Sequence, residues 1–210
     1  MFFLIKKIVR KVRGNFAKFY LIEKDFSIIS DNCWGGSMYQ YFDIPYKTPF
    51  VGLFVFSPDY IRMLKKLDYY LNSDLNFINP SESKYKEELI KYKTYGTYPI
   101  ALLGGDVEIH FLHYKTNEEA RDKWYRRLKK LNKNNLIIKF CDRDLCTSEL
   151  IHEFDLLRFS KKVMLSSKSY KINSNLQLKG EEGNEVQNEW KSFLKTTSPI
   201  SFLNKLQNNR

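Results

Sequence analysis

The sequence predicts a single α/β domain with an open, mainly parallel sheet flanked by helices and preceded by a basic amphipathic helix. Short apolar runs alternate with amphipathic segments along most of the chain, which is the pattern of parallel strands joined by crossover helices. The 210 residues, 43% hydrophobic and 28% charged, suffice for one core. This composition excludes a disordered chain, and no apolar stretch approaches the roughly 20 residues of a membrane span.

Residues 1–22 place apolar and basic side chains on opposite sides of a predicted helix, with an interruption near Gly14. Such a segment either lies on an anionic membrane surface or packs on the domain as a terminal helix. We favour the membrane contact, because charge and apolar stripe are both concentrated here. The apolar stripe comprises Ile5, Ile8, Val9, Val12, Phe16 and Phe19. The basic side comprises Lys6, Lys7, Arg10, Lys11, Arg13 and Lys18.

Residues 23–166 carry the predicted α/β core. Apolar runs predict strands over residues 26–30, 50–56, 99–103, 107–113, 136–140 and 162–165. Helices are predicted over residues 37–42, from Ser57 as an N-cap, from the Thr116–Glu119 capping box and from Thr147. The pair Gly104-Gly105 predicts a tight turn between two strands.

Two stretches are too polar to predict strands. Residues 72–97 show only a charged helical patch over 84–93. Residues 167–210 are rich in serine, asparagine and lysine, and we predict a polar C-terminal extension with one weak helix over 186–194.

The balance of 35 basic against 24 acidic residues gives a net charge of +11. This charge suits an anionic partner, but solvated lysines with no specific role explain it equally well. The chain has no helix-turn-helix spacing, no RNP aromatic motif and no zinc-finger spacing, so we expect no nucleic-acid partner. Glycine-rich motifs for dinucleotides or nucleotide phosphates are missing too.

The three cysteines are odd in number, and their spacing matches neither a disulfide framework nor a zinc site. We therefore expect reduced thiols, which are typical of the cytoplasm, and no metal site. The N-terminus has no uninterrupted apolar region of the kind found in secretory signals.

The string from Ser30 to Gly36 places Cys33 at a corner between a strand and a helix, where ligands bind in open α/β sheets. A nucleophile at such a corner is exposed, and the amides of the following helix lower the pKa of a thiol. Asn32, Trp34, Gly35 and Gly36 are the candidate substrate-binding residues around it. The alternative is that Cys33 is a small buried side chain beside Trp34.

A cysteine nucleophile needs a base, and the sequence offers three histidines. Strand alternation places His113 on the apolar side but at the strand's end, and we prefer it as the base. His110, beside Glu108, is a candidate for substrate binding or an ordinary polar-face residue. His152 falls on the polar side of a helix and is expected at the surface.

Asp106 and Asp142 are the candidate acids that would orient the imidazole. Asp142 follows a predicted strand and so lies at the carboxyl edge of the sheet. Asp106 precedes its strand, and its alternative role is that of a turn residue.

Several strings resemble a bacterial family, the domain of unknown function numbered 1919. They are FSIISDNCWGG, PYKTPFVGLFVFSPDYIRMLKKLDYYL, YPIALLGGDVEIHFLHY, EEARDKWYRR and CTSELIHEFDLL, and the resemblance spans residues 26–165. Members are often labelled exopolysaccharide biosynthesis proteins or acetyltransferases. The resemblance implies a cytoplasmic protein near the inner face of the membrane. It carries no mechanism with it.

A more distant likeness is to capsule acetyltransferases that bind coenzyme A and carry an asparagine–cysteine pair after their first strand. Asn32-Cys33 would match that pair, whereas Asp31 stands where an asparagine is common.

The leading hypothesis is an O-acyltransferase of surface-polysaccharide synthesis that moves an acetyl group from acetyl-coenzyme A to a sugar or polysaccharide precursor. Cys33 would take the acyl group, and basic residues of the helix over 121–130 would meet the phosphates of coenzyme A. The alternatives are a glycosyltransferase-like enzyme, with Asp106 or Asp142 binding a metal or acting as base, and a non-catalytic assembly factor that docks at the membrane.

Overall fold

The computed structural model describes residues 2–208, and within the first helix it describes side chains from residue 11 onward. The strands are β1 (Ser27–Ser30), β2 (Leu75–Ile78), β3 (Ile100–Leu103), β4 (Val107–His110), β5 (Leu136–Cys141), β6 (Lys162–Ser166) and β7 (Asn175–Gln177). The helices are α1 (Phe2–Phe19), α2 (Trp34–Tyr41), α3 (Ser57–Lys65), α4 (Leu67–Leu71), α5 (Lys86–Lys91), α6 (Asn117–Leu128), α7 (Ser148–Leu156), α8 (Glu189–Thr196) and α9 (Pro199–Asn208).

The main sheet has the order β1-β5-β6-β7, and every neighbouring pair in it is parallel. Residues alternate between its two faces, as the period of a strand requires. Ile138 and Phe140 pack on one face with side chains of α3, α6 and α7, whereas Ile137 and Cys141 pack on the other with side chains of α1, α2, α8 and α9. The predicted α/β class with a parallel sheet between helices is confirmed.

A second, smaller sheet has the order β2-β3-β4 and is antiparallel. The predicted turn between β3 and β4 is confirmed, since Gly104 and Gly105 have φ of 63° and 90°, a region that glycine adopts without strain. Strand β2 was missed because its sequence LNFI lies in a polar stretch and follows a short helix.

The predicted strand over residues 50–56 is wrong. Gly52 has φ of +73°, which interrupts an extended run, and only Phe54 makes a bridge, to His110 of β4. Phe50, Leu53 and Val55 are nevertheless buried, so the apolar signal came from a buried loop. The strand predicted over 107–113 also ends earlier, at His110.

The predicted caps are partly correct. Thr116 and Thr147 accept hydrogen bonds from the backbone N–H groups of Glu119 and Leu150, as expected for N-caps. Ser57 does not cap α3; its hydroxyl donates to the backbone oxygen of Arg143 at 2.7 Å instead and ties α3 to the end of β5.

The C-terminal segment differs most from its prediction. Instead of a polar extension with one weak helix, residues 167–208 supply β7, α8 and α9. Leu178, Val186, Phe193 and Leu203 of this segment are buried in the core on the α2 side of the sheet. These apolar residues are widely spaced in a polar stretch, so the local composition did not predict their burial.

Helix α1 runs unbroken through Gly14, contrary to the predicted interruption. Gly14 and Ala17 face inward, and a Cβ on Gly14 would collide with the Cβ of Asp43 and press on the backbone of Phe42. The large side chains point outward instead, with Phe16 62% and Phe19 78% exposed. The predicted stripe and basic residues between positions 5 and 10 fall outside the described side chains.

No helix within residues 2–208 is both long and apolar enough to cross a membrane.

Candidate active site at the carboxyl edge of the main sheet

Parallel strands β1 and β5 end side by side, and a cleft of about 510 Å³ opens beyond their carboxyl ends. We call it the first cleft. Its walls come from the residues that follow the two strands, from α2 and from the start of α8. This is the edge of an open α/β sheet at which ligands bind.

The lining of the first cleft combines aromatic rings with polar side chains. Trp34, Phe54, Tyr92 and Trp190 supply the rings. Asn32, Arg143, Asp144, Glu185, Gln187 and Glu189 supply amide, guanidinium and carboxylate groups.

A second cleft of about 290 Å³ also borders Cys33. Cys33 and Ser37 line both clefts. The second cleft also contains His113 and two cationic side chains of α6, Lys123 and Arg127. Cys33 therefore stands at the junction between an aromatic, mixed-charge chamber and a basic one.

Cys33 immediately precedes α2, in the position that the sequence predicted. Its carbonyl oxygen accepts a hydrogen bond from Ser37 N at 3.2 Å, and Asn32 Oδ1 accepts one from Trp34 N at 3.1 Å, which fixes the turn. The thiol sulfur lies 3.9 Å from the carbonyl oxygen of Leu53.

The expectation of a lowered thiol pKa is wrong. Burial raises the pKa of Cys33 to about 11, and the negative charge of Glu189 adds to the effect. At neutral pH the sulfur is therefore protonated, and a thiolate forms only when a base removes the proton.

Lys139 is the group that sequence reasoning missed. It lies in the middle of β5 with no exposed surface, and its ammonium group donates to Asp31 Oδ1 at 2.9 Å and to Asn32 Oδ1 at 3.1 Å. Glu189 Oε1 is its third partner. The only sequence signal is a lysine inside the otherwise apolar run LIIKFC.

This cluster has two carboxyl groups for one ammonium group. Burial raises the pKa of Asp31 to about 7, which the Lys139 charge only partly offsets. Burial alone would lower the pKa of Lys139, but Asp31 and Glu189 hold it above its ordinary value. Lys139 thus stays charged and holds the ends of β1 and α8 together.

The other residues of the predicted corner are in place. Trp34 is 2% exposed and packs edge-on against Trp190, Phe193 and Phe202. Gly35 allows α2 to press on β1, because a Cβ there would lie 3.1 Å from Ile28 Cγ2. Gly36 lines the second cleft.

The three histidines lie in three different surroundings. His113 is exposed and shares the second cleft with Cys33, although it follows β4 in a turn and is not part of the strand. His110 lies in neither cleft; it is buried against Phe54 with ring centroids 4.7 Å apart, and burial lowers its pKa to about 3. His152 is exposed on α7, as predicted.

The two candidate orienting acids line neither cleft. Asp106 accepts hydrogen bonds from Tyr70 Oη at 3.0 Å and from Arg62, so it fixes the β3–β4 turn. Asp142 accepts from the backbone N–H and hydroxyl of Ser167 and from Val186 N, so it anchors the C-terminal segment to the end of β5. Neither carboxylate contacts a histidine.

All three cysteines are free thiols. The described part of the chain holds no group of three or more histidine, cysteine or acidic side chains arranged to bind a metal ion.

Comparison with known proteins gives a family. The chain is 34% identical over 150 residues, 71% of its length, to a protein of Haemophilus influenzae named "Uncharacterized protein", and the match spans 66% of that relative, slightly under two thirds of its length. The model of the family "Domain of unknown function (DUF1919)" matches residues 4–208, and thus also the C-terminal segment that the sequence resemblance left out. The chain therefore belongs to the DUF1919 family.

Proposed function

We propose that this protein is an O-acyltransferase that passes an acyl group through Cys33 from a phosphate-bearing thioester in the second cleft to a sugar hydroxyl in the first. The observation that supports it most is that Cys33 lines both clefts. A nucleophile that lines two different chambers can receive a group from one substrate and deliver it to another.

The first cleft suits a carbohydrate acceptor. Sugars have apolar ring faces that stack on aromatic side chains and hydroxyl groups that bond to amides and carboxylates. Trp190 and Tyr92 offer rings, and Asn32 and Gln187 offer amides, in this cleft. A sugar or polysaccharide precursor of surface-polysaccharide synthesis is the acceptor we propose.

The second cleft suits the phosphates of acetyl-coenzyme A. Lys123 and Arg127 are the two cations of α6 that line it. Arg127 donates to Tyr114 Oη and to the backbone oxygen of Val51 at 3.3 Å, which holds the guanidinium group in place. A fixed cation binds phosphate with little further loss of side-chain entropy.

The proposed first half-reaction begins with His113 as base. Its imidazole takes the Cys33 thiol proton as the sulfur attacks the carbonyl carbon of the donor. The carbon–sulfur bond of the donor breaks, and the coenzyme A sulfur leaves with the electron pair and receives the proton from His113. The product is an acetyl thioester on Cys33 and free coenzyme A. Because the thiol pKa is about 11, this step requires base assistance.

The test is the mass of the intact protein after incubation with acetyl-coenzyme A. We expect one acetyl adduct, located on the Cys33 peptide and removed by hydroxylamine, and no such adduct in Cys33→Ala. Cys141 and Cys146 remain as internal controls for unspecific acetylation. No adduct on Cys33 would contradict the covalent mechanism.

We further propose that the protein works on the cytoplasmic side, attached to the surface of an anionic membrane through α1. Phe16, Phe19 and Val12 are exposed along α1, and Lys11 and Lys18 accompany them. The first 22 residues include no acidic residue. An exposed apolar ridge with basic flanks is the composition that inserts at an anionic bilayer surface.

Replacing Phe16 and Phe19 together by alanine is expected to weaken binding to vesicles of phosphatidylglycerol and phosphatidylcholine by at least about tenfold, since each buried phenyl ring contributes roughly 1.5–3 kcal/mol. Co-sedimentation measures this. Leu156→Ala, which removes an 82% exposed side chain on α7, is the matched control and should bind like the wild type. Equal binding of all three proteins, or equal binding to pure phosphatidylcholine, would contradict the proposal.

A further inference from the structure

The two carboxyl groups around Lys139 differ in what else they face. Asp31 is enclosed and lines no cleft, whereas Glu189 lines the first cleft. Glu189 Oε1 contacts the Lys139 ammonium group. Among the described residues, none donates a hydrogen bond to Glu189 Oε2. This carboxylate is therefore held through one oxygen, and the other is available to a ligand in the cleft.

We propose that Glu189 is the catalytic base on the acceptor side, which takes the proton of the acceptor hydroxyl as that oxygen attacks the thioester on Cys33. The inference rests on the proposed function and completes it with a second base. His113 would serve the donor in the second cleft, and Glu189 would serve the acceptor in the first.

The second half-reaction transfers the acetyl group from Cys33 to the acceptor. The acceptor hydroxyl gives its proton to the Glu189 carboxylate, and its oxygen forms a bond to the acetyl carbonyl carbon. The bond from that carbon to the Cys33 sulfur breaks, and the sulfur leaves with the electron pair. The protonated Glu189 returns the proton to this sulfur. The products are the acetyl ester of the acceptor, a neutral Cys33 thiol and an ionised Glu189.

The electrostatics around Cys33 support this proton path. After burial, the negative charge of Glu189 is the largest influence that raises the pKa of the Cys33 thiol, and both residues line the first cleft. A thiol with a raised pKa is a poor leaving group as a thiolate, and it leaves readily when a neighbouring acid protonates it.

The other acidic residues of the first cleft are less suited to the role. Asp144 is paired with the guanidinium group of Arg143 at 3.2 Å. Glu185 is exposed and accepts a hydrogen bond from Gln187 Nε2 at 3.1 Å. Lys139 acts as a positioning residue for Glu189. Its ammonium group also binds Asp31, so the positive charge of Lys139 is shared between two carboxylates.

The experiment separates the two half-reactions with water as the acceptor. Wild type, Glu189→Gln and Glu182→Gln are acetylated with acetyl-coenzyme A, the donor is removed, and the loss of the Cys33 adduct is followed by intact mass. Glutamine keeps an oxygen for Lys139 but cannot take a proton. Glu182 is exposed in the same segment and lines neither cleft, so it controls for the change in charge.

We expect Glu189→Gln to form the adduct and to lose it about 100-fold more slowly than the wild type, the range that general base catalysis contributes. Glu189→Asp, which restores a carboxylate, should recover part of the rate.

Loss of the adduct from Glu189→Gln at the wild-type rate, or equal slowing in Glu182→Gln, would overturn the role of Glu189 and leave the proposed function standing. A wild type that forms no Cys33 adduct would overturn the proposed function itself. A Glu189→Gln protein that is folded by its melting temperature yet cannot be acetylated would also overturn the inference, because the acceptor-side base is not needed in the first step.

Discussion

Replacing Lys139 by methionine is expected to lower the free energy of unfolding by about 3 to 5 kcal/mol, the loss that follows when one partner of a buried ion pair is removed. Methionine fills a similar volume, so the loss comes from charge and not from a cavity. Asp31 and Glu189 would be left buried beside each other with no ammonium group between them.

Urea denaturation followed by circular dichroism measures this change. The matched control is Lys133→Met, since Lys133 pairs with Asp68 at the surface at 3.0 Å and both side chains are largely exposed. Surface pairs of this kind contribute about 0 to 1 kcal/mol, so Lys133→Met should be nearly neutral. A similar stability for the two variants would show that the Lys139 cluster does not hold the ends of β1, β5 and α8 together.

The cluster explains why the site could be located from the sequence but not completed. The corner at Cys33 could be predicted because its signals are local: a short apolar run, polar residues and two glycines follow one another within 11 residues. The structure has this corner at the edge of the sheet. The Lys139 cluster joins positions 31, 139 and 189, and no local pattern relates them. A lysine within an apolar strand is the one signal that indicates a buried charge in need of partners.

The wrong prediction for the thiol pKa has a similar origin. A position at the start of a helix favours the thiolate, and this effect can be read from sequence. Burial and the charge of Glu189 act in the opposite direction, and both depend on distant segments folding over Cys33. Burial and the charge of Glu189 outweigh the effect of the helix start here, so Cys33 requires a base to react.

The fold was predictable where apolar residues recur with a strand or helix period and was not where they are dispersed. Strands β1, β3, β5 and β6 contain compact apolar runs, which predict strands directly. Residues 50–56 have such a run but form a buried loop, because Gly52 takes a positive φ.

Trp34→Ala is expected to lower the free energy of unfolding by about 3 to 5 kcal/mol, as other truncations of large buried aromatic residues do. The indole ring lies within 5.2 to 6.5 Å, centroid to centroid, of the rings of Trp190, Phe193 and Phe202. Of these three, Phe193 is fully buried. Trp34 thereby joins α2, and with it the position of Cys33, to α8 and α9 of the C-terminal segment.

Urea denaturation gives the stability change, and limited trypsin digestion reports whether the C-terminal segment loosens first. Cleavage at Lys191 and Lys195 of α8 should accelerate in Trp34→Ala before the rest of the chain is cut. Trp190→Ala is the matched control, since Trp190 packs on the same aromatic rings but is only half-buried. Its replacement should lower the free energy of unfolding clearly less. An equal loss of unfolding free energy in the two variants would contradict the central place of Trp34.

Because Glu189 is the first residue of α8, a loosened α8 would also withdraw the carboxylate from the first cleft. The packing of Trp34 on the rings of α8 and α9 would then keep Glu189 in the first cleft as well as stabilise the fold.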